Sequence, residues 1–154
     1  MITGNLTSAF YVVQASLPLM RERGGAMIHT ASWAGRFVGP VPGAAYIAAK
    51  HGVVAMSHSI NLEECANGIR STVLCPGEVA TPIMTQRPIP ETAESLARMI
   101  QPEDMGEMIL FVARQPEHVC INEILVSPTH NRGYLNQMKA RQAQAEAAGI
   151  GSKR

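Results

Sequence analysis

The sequence predicts an α/β fold in which helices flank a parallel β-sheet. Short apolar runs bounded by glycine or proline alternate with longer segments whose apolar residues recur at helical spacing. The predicted order of helix, strand, helix, strand, helix and strand is typical of a parallel sheet. Three strands are few for such a domain, and no strand precedes the first helix. We therefore expect the chain to be the second part of a larger sheet.

The composition indicates a globular protein with one core. The chain has 154 residues, of which 46% are apolar and 16% charged, as expected for one domain or part of one. The net charge of +1 excludes a strongly charged surface for nucleic acid or an anionic membrane. No leader pattern and no apolar run of membrane-spanning length is present, so we expect a soluble, cytoplasmic protein without membrane or nucleic-acid partners.

The cysteines do not indicate a disulfide framework. Cys65, Cys75 and Cys120 are odd in number and stand in apolar surroundings, which favours reduced, buried thiols. We interpret Cys75 as a core residue and His29, inside a predicted strand, as a satisfied interior or edge residue. No metal-ligand spacing occurs, and we predict no metal site.

The first helix and the first strand are predicted before residue 32. Residues Asn5 to Arg23 form an amphipathic helix, in which Pro18 predicts a kink and Gly24-Gly25 predicts the end. The apolar run Ala26 to Ala31 predicts a buried strand. Ser32 stands at its carboxyl end.

The middle of the chain predicts one long helix and a second strand. Trp33 to Gly43 is a loop rich in glycine and proline, and the apolar spacing of Gly43 to Cys65 predicts a helix. Ile69 to Cys75 predicts a strand that Pro76-Gly77 ends. Glu78 to Pro90 contains three prolines and no clear period, which is typical of a long loop that covers a site.

The last part of the chain predicts a helix, a strand and a polar tail. Proline and acidic residues open the helix from Pro102 to Gln115, and Val119 to Val126 predicts the third strand. Residues Gln137 to Ala148 are helical but have almost no apolar face. We therefore divide the chain into a domain over residues 1–130 and an exposed helical or disordered tail over residues 131–154.

Tyr46 and Lys50 are the first candidate site residues. They lie four residues apart and so on one face of the predicted helix. A cation beside a phenol favours the phenolate, and the positive end of the helix acts in the same direction, which suits a tyrosine that exchanges a proton near neutral pH. Such a pair also occurs as a simple packing pair. Neither Tyr11 nor Tyr134 has a lysine four residues further on.

The candidate residues fall at or near the carboxyl ends of the predicted strands: Ser32 ends one strand, Tyr46 and Lys50 lie on the next helix, and Pro76-Gly77 follows the next strand. Open parallel sheets bind ligands at this edge. At this point the sequence resembles the short-chain dehydrogenase/reductase family. Ser32, in the stretch Thr30-Ala31-Ser32-Trp33-Ala34-Gly35, is similar to the catalytic serine of that family. Tyr46 and Lys50 resemble its Tyr-x-x-x-Lys motif, and Asn5 stands where its fourth catalytic residue stands.

The stretch Pro76 to Pro82 resembles the family's turn behind the nicotinamide ring. The resemblance implies a partial doubly wound, Rossmann-like sheet, and an enzyme that uses NAD or NADP to interconvert a small-molecule alcohol and a carbonyl. It also implies that Tyr46 exchanges the proton, Ser32 holds the substrate oxygen, Lys50 assists Tyr46 and binds the ribose, and Asn5 holds a relay water. The residues implied at the cofactor are Tyr46, Lys50, Pro76, Gly77, Val79 and Thr81.

Other interpretations of these residues stay open. Ser32 is also a plausible cap or loop serine, Asn5 a helix cap, and Thr81 a turn residue. The family's glycine-rich phosphate turn is absent, so we expect the 154-residue chain alone to be inactive. A serine hydrolase is disfavoured because position 35 is Gly, where a Ser-x-x-Lys motif needs lysine. A non-catalytic remnant that acts through oligomerisation is the alternative, since the family's helices that correspond to the Asn5 and Tyr46 helices pack against a second subunit.

Overall fold

Three parallel strands form the centre of the molecule. The computed structural model describes residues 1–86 and 89–150. Strand β1 spans Gly25–Thr30, β2 spans Ile69–Pro76 and β3 spans Glu123–Val126, in the order β1-β2-β3. The α/β fold with a parallel sheet and flanking helices is confirmed. In the described part of the sheet, β1 is an edge strand that pairs only with β2.

The helices agree with the predicted alternation, with differences at their ends. A π-helical turn at Thr3–Thr7 leads into the first α-helix, which contains Pro18 and continues to residue 20. Five α-helices are described: α1 at Ser8–Met20, α2 at Ala44–Glu64, α3 at Ala93–Ala97, α4 at Pro102–Ala113 and α5 at Arg132–Ala147. Short 3₁₀ turns occupy Trp33–Gly35, Cys65–Asn67 and Pro82–Gln86.

Helix α2 packs across the sheet because its apolar residues recur on one face. Val53 and Val54 pack on Val73 and Cys75 of β2 and on Ala31 after β1. A second cluster brings α1, α2 and both strands together through Val13, Met27, Ile60 and Ile69. Burial of these side chains is the main source of stability for the packing of the helices on the sheet.

Polar contacts also attach α2 to its neighbours. The buried hydroxyls of Ser57 and Ser71 lie 2.7 Å apart and form a hydrogen bond between α2 and β2. At the far end of α2, the guanidinium of Arg21 donates two hydrogen bonds to the carboxylate of Glu64, whose residue is 3% exposed. This pairing and a hydrogen bond from Asn67 lower the pKa of Glu64 to about 2.

The sequence pattern did not predict every short element or every element boundary. It gave no element to residues 91–101, where Thr92 caps α3 by accepting from the backbone N–H of Ser95 at 3.1 Å. The expected loop from Glu78 to Pro90 contains a 3₁₀ turn, and its residues 87 and 88 lie outside the described residues. Strand β3 begins four residues later than predicted, because its pairing with β2 starts only at Glu123.

Helix α5 begins at Arg132, five residues before the predicted start. The side chain of Asn131 caps it by accepting from the backbone N–H groups of Gly133 and Tyr134, at 2.9 and 3.3 Å. No residue of α5 is buried. The division at residue 130 stays a prediction. Among the described helices, none combines the length and apolar character that crossing a membrane requires.

Candidate active site

Ser32 follows the carboxyl end of β1 and begins the 3₁₀ turn Trp33–Gly35. Its extended backbone places the hydroxyl oxygen 3.1 Å from the backbone N–H of Ala34, which donates to it. The cap role that the sequence left open for Ser32 is therefore present. A hydroxyl that accepts one bond still has a proton to donate, so the cap does not exclude a second role.

The turn after Ser32 lies directly on α2. A Cβ atom added to Gly35 would be 2.8 Å from the carbonyl oxygen of Lys50 and 3.1 Å from Cγ2 of Val54. Only glycine leaves room for this approach. The backbone that carries Ser32 is thereby packed against the turn of α2 that carries Lys50.

Tyr46 and Lys50 contact each other on the exposed start of α2. The ammonium nitrogen of Lys50 lies over the Tyr46 ring, 5.5 Å from the ring centroid. The same nitrogen donates a hydrogen bond of 3.2 Å to the carbonyl oxygen of Thr30, the last residue of β1. Burial lowers the pKa of Lys50. The structure thus brings Tyr46, Lys50 and the end of β1 together.

Cys75 lies beneath this group. The residue is fully buried near the end of β2, and its burial and the nearby carboxylate of Glu123 raise the pKa of the thiol to about 11. Glu123 in turn pairs with Arg36 at 3.0 Å. A neutral, buried thiol fits the core role expected for Cys75. Cys65 and Cys120 are exposed, so the expectation of buried thiols was wrong for these two.

Asn5 lies in the π-helical turn that precedes α1. Its side-chain amide donates to the carbonyl oxygen and the sulfur of Met1, both at 3.1 Å. No hydrogen bond joins Asn5 to Tyr46 or Lys50 in the described residues. The neighbouring Leu6 packs on α2, where a Cβ at Gly52 would be 2.7 Å from Cδ2 of Leu6. Asn5 is therefore not a helix cap, and its turn is packed against α2 close to Lys50.

The turn after β2 holds the other candidate residues. Pro76 is buried at the end of β2, and the N–H of Gly77 donates to the carbonyl oxygen of Val126 at 2.7 Å. Val79 forms an isolated parallel bridge with Ile100, and the N–H of Thr81 donates to the carbonyl oxygen of Val79 at 2.8 Å. These bonds keep the turn at the carboxyl edge of the sheet.

His29 lies in β1. Its Nε2 atom is buried and finds no hydrogen-bond partner among the described residues, so they do not confirm the expected satisfied histidine. Burial lowers the pKa of His29, which favours the neutral ring. The strand pattern predicted the burial of the ring, but it carries no information on the partner of the nitrogen.

Two contacts of α5 were not predicted from the sequence. Arg132 pairs with both Glu78 and Glu91, and the ring of Tyr134 meets Trp33 edge-on at 5.9 Å. The cap residue before α5 was a readable signal for the start of the helix. No spacing rule links Arg132 to carboxylates far away in the chain. In the described residues, no group of three or more His, Cys, Asp or Glu side chains is arranged to hold a metal ion.

Comparison with known proteins identifies the family. Residues 1–127 match the family model described as enoyl-(acyl carrier protein) reductase. The chain is 37% identical over 120 residues to a glycine betaine reductase of Emericella nidulans, covering 74% of this chain and 9% of that protein. It is 35% identical over 95 residues to D-beta-hydroxybutyrate dehydrogenase of Rhizobium meliloti, covering 61% of this chain and 36% of that protein.

Solved structures agree with this match. Serine dehydrogenase in its closed form with NADP⁺ superposes with a TM-score of 0.76 at 28% identity, covering 85% of this chain and 55% of that one. Carveol dehydrogenase from Mycobacterium avium in complex with NAD superposes with a TM-score of 0.69 at 25% identity, covering 82% and 53%.

The matching class is that of Rossmann-like, NAD(P)-dependent oxidoreductases. The chain belongs to the short-chain dehydrogenase/reductase family, as its motifs indicated. It spans half or less of the length of the first curated relatives.

Proposed function

We propose that this chain carries the catalytic part of an NAD(P)-dependent oxidoreductase that interconverts an alcohol and a carbonyl, with Tyr46 as the proton donor and acceptor. The contact between Lys50 and Tyr46 carries this proposal. An ammonium group 5.5 Å from the ring centroid stabilises negative charge on the phenol oxygen as its proton leaves. The bond from Lys50 to Thr30 supports it, because it holds this pair at the sheet edge where such folds bind ligands.

Ser32 and Asn5 have supporting roles in the proposed site. The Ser32 hydroxyl donates to the substrate oxygen and stabilises the charge that develops there. Asn5 holds a water that connects Lys50 with solvent. The position of the Asn5 turn supports this role, because π-helical turns are frequent at functional sites and Leu6 packs on α2 at Gly52, two residues after Lys50.

The residues present fit the nicotinamide end of the cofactor. In the described residues, the half-buried ammonium of Lys50 has the Thr30 carbonyl and the Tyr46 ring as partners and no carboxylate, so it can donate to ribose hydroxyls. The backbone of the turn from Pro76 to Thr81 would back the ring. When bound, NAD or NADP supplies or accepts the hydride. The residues proposed to hold it are Tyr46, Lys50, Pro76, Gly77, Val79 and Thr81.

A chimaera tests this function. The dinucleotide-binding part of the Rhizobium D-beta-hydroxybutyrate dehydrogenase is joined in front of this chain, and NAD(P)H oxidation is measured with a panel of small carbonyl compounds. We expect activity in the chimaera and none in the chain alone, because the given sequence contains no glycine-rich phosphate-binding turn.

Variants of the chimaera assign the roles. Tyr46→Phe removes the phenol hydroxyl and should lower kcat by roughly 10²- to 10⁴-fold, the range for a general acid or base. Tyr11→Phe removes the same hydroxyl from the exposed face of α1 but keeps the apolar ring that the proposed self-association would use, so it is the matched control. Full activity in Tyr46→Phe would end the assignment.

A second comparison distinguishes the role of Lys50 from that of Ser32. Lys50→Ala should reduce kcat and also weaken cofactor binding, since Lys50 serves both. Ser32→Ala should cost about 2 to 4 kcal/mol of transition-state stabilisation without weakening cofactor binding. An equal effect of both variants on cofactor affinity would contradict the separate roles.

Self-association through the Asn5 and Tyr46 helices is part of the proposal. Helix α1 exposes large apolar side chains, and α2 exposes Leu62 at 82% of its surface. Exposed apolar surface of this kind favours a second copy of the chain. The exposed residues of α1 are Phe10, Tyr11, Val12 and Leu19. Light scattering of Leu19→Glu beside the unchanged chain tests this, and an unaltered mass would argue against α1.

A further inference from the structure

The first turn of α5 contacts both loops that carry candidate site residues. Arg132 binds Glu78, which follows Gly77, and Tyr134 packs on Trp33, which follows Ser32. We propose that Arg132 and Tyr134 are positioning residues, which fix the turn after β2 and the loop after β1 relative to each other. The benefit to catalysis rests on the proposed function, whereas the positioning itself is testable without activity.

Arg132 is bound by two carboxylates. Its Nε donates to Oε2 of Glu78 at 2.7 Å, its Nη2 donates to Oε1 of Glu78, and its Nη1 pairs with Glu91 at 2.9 Å. The planar guanidinium matches the two oxygens of Glu78, which fixes direction as well as distance. These carboxylates raise the pKa of Arg132 further above its usual value. The guanidinium therefore links the turn after β2 to α5.

Tyr134 provides the second contact. Its ring lies at 69° to the indole of Trp33, with 5.9 Å between the centroids, and Trp33 also packs on Phe37 at 4.7 Å. Edge-on aromatic pairs of this kind are directional. Because Trp33 is the residue after Ser32, contacts that hold the indole also restrain the backbone next to Ser32.

The two contacts act together because the start of α5 is fixed. Asn131 caps this turn, which holds Arg132 and Tyr134 in a defined helical relation. Pro128 is buried, and its Cδ atom would lie 3.2 Å from a Cβ placed on Gly77. The segment that leads into α5 is thus packed on the turn after β2.

The same pairing argues against a ligand role for Arg132. A cleft of about 240 Å³ opens beside it, and Glu78, Ser95, Arg98, His130 and Arg132 are among its lining residues. Three of the five N–H donors of Arg132 are directed to Glu78 and Glu91. An anionic substrate at the guanidinium would have to compete with these two carboxylates. Arg132 therefore lines the cleft as a structural residue.

Trp33 reports on this arrangement directly, because it is the single tryptophan of the chain. The test compares Arg132→Gln with Arg98→Gln in the 154-residue chain. Arg98 is the matched control, since it forms an exposed pair with Glu94 within α3 and its flank. We expect Arg132→Gln to shift Trp33 emission to the red and to increase its quenching by acrylamide, while Arg98→Gln leaves both unchanged.

Two further variants complete the test. Arg132→Lys keeps the charge but cannot reproduce the planar two-point contact, so its quenching should fall between the two glutamine variants. Tyr134→Ala removes the ring that packs on Trp33 and should raise the quenching directly. If Arg132→Gln loses its helical circular dichroism and is therefore unfolded, the quenching of Tyr134→Ala decides the test. Identical quenching in Arg132→Gln, Tyr134→Ala and Arg98→Gln would overturn the proposal.

Kinetics of the chimaera address the catalytic consequence. Arg132→Gln should lower kcat on the order of tenfold with a small change in KM, because misplacement of site residues affects the chemical step. A loss of Trp33 contact with unchanged kcat would overturn the positioning role in catalysis. Failure of the proposed function is seen separately, as full activity in Tyr46→Phe.

Discussion

A methyl group at position 35 tests whether the loop after Ser32 is packed directly on α2. The added Cβ in Gly35→Ala would lie 2.8 Å from the carbonyl oxygen of Lys50, and 3.1 Å from both its carbonyl carbon and Cγ2 of Val54. Carbon atoms in favourable contact are about 3.5 to 4.0 Å apart, so the overlap is several tenths of an ångström. The oxygen belongs to the helix backbone and cannot rotate away. The loop or the helix must therefore move.

The size of the effect follows from two opposing contributions. Inserting a carbon into a well-packed site costs about 1 to 3 kcal/mol. Replacing glycine by alanine also lowers the conformational entropy of the unfolded chain, which stabilises the folded state by about 0.4 to 1 kcal/mol. Gly35 is outside the group of glycines with positive φ, so no backbone strain is added. The difference of the two ranges is about 0 to 2.6 kcal/mol, and we expect the free energy of unfolding to fall by an amount in the upper half of this range because the close contact is with helix backbone.

Urea unfolding followed by far-ultraviolet circular dichroism measures this change. Gly106→Ala in α4 is the matched control, because nothing lies within 4 Å of a Cβ at that position. It should raise the stability by up to about 1 kcal/mol through helix propensity. If Gly35→Ala were as stable as Gly106→Ala, the loop would not be packed against Lys50. In the chimaera, Gly35→Ala should also lower kcat, since the turn of α2 that carries Lys50 is displaced.

Three other predictions follow from burial and pairing. The folded-state pKa of Glu64 is about 2, below its ordinary value of 4.5, so the stability that its carboxylate contributes is complete above about pH 4.5 and is lost as the pH falls through about 2. The urea midpoint of Glu64→Gln should therefore depend less on pH in acid than that of the unchanged chain, and equal dependence would contradict the pairing with Arg21. Cys65 and Cys120 are exposed and should react with a thiol reagent in the native chain, whereas Cys75, whose pKa burial raises to about 11, should react only on unfolding; native labelling of all three would refute its burial. The edge of β1 should promote association of the 154-residue chain, and Ala26→Lys should reduce the mass seen by light scattering; a monomer in both cases would remove the edge as the cause.

The long periodic elements were predictable because their signals are local. Helix α2 was expected at Gly43 to Cys65 and spans Ala44–Glu64, and β2 was expected at Ile69 to Cys75 and spans Ile69–Pro76. In α2 the buried positions recur at helical spacing, and β2 is a short run that is buried at every position but one. The contact of Lys50 with Tyr46 was predictable for the same reason, since residues four apart share a helix face.

The short and non-local features were not predictable. A five-residue helix such as α3 has too few turns for a period, and the π-helical turn at Thr3–Thr7 has no distinctive pattern. Arg132 finds its partners 54 and 41 positions away, at Glu78 and Glu91. Charge alone does not select between such carboxylates, because the fold determines which of them approach.

The region around Ser32 shows how a non-local contact can nevertheless be encoded locally. Ser32 and Lys50 are far apart in sequence, and helical spacing says nothing about their distance. The glycine at position 35 is the local sign that this loop contacts α2, because the Lys50 carbonyl occupies the space where a Cβ would be. The motif from Thr30 to Gly35 thus contains a candidate functional hydroxyl and also the gap that lets its loop reach α2. This is why a match to the motif carried three-dimensional information that composition and periodicity did not.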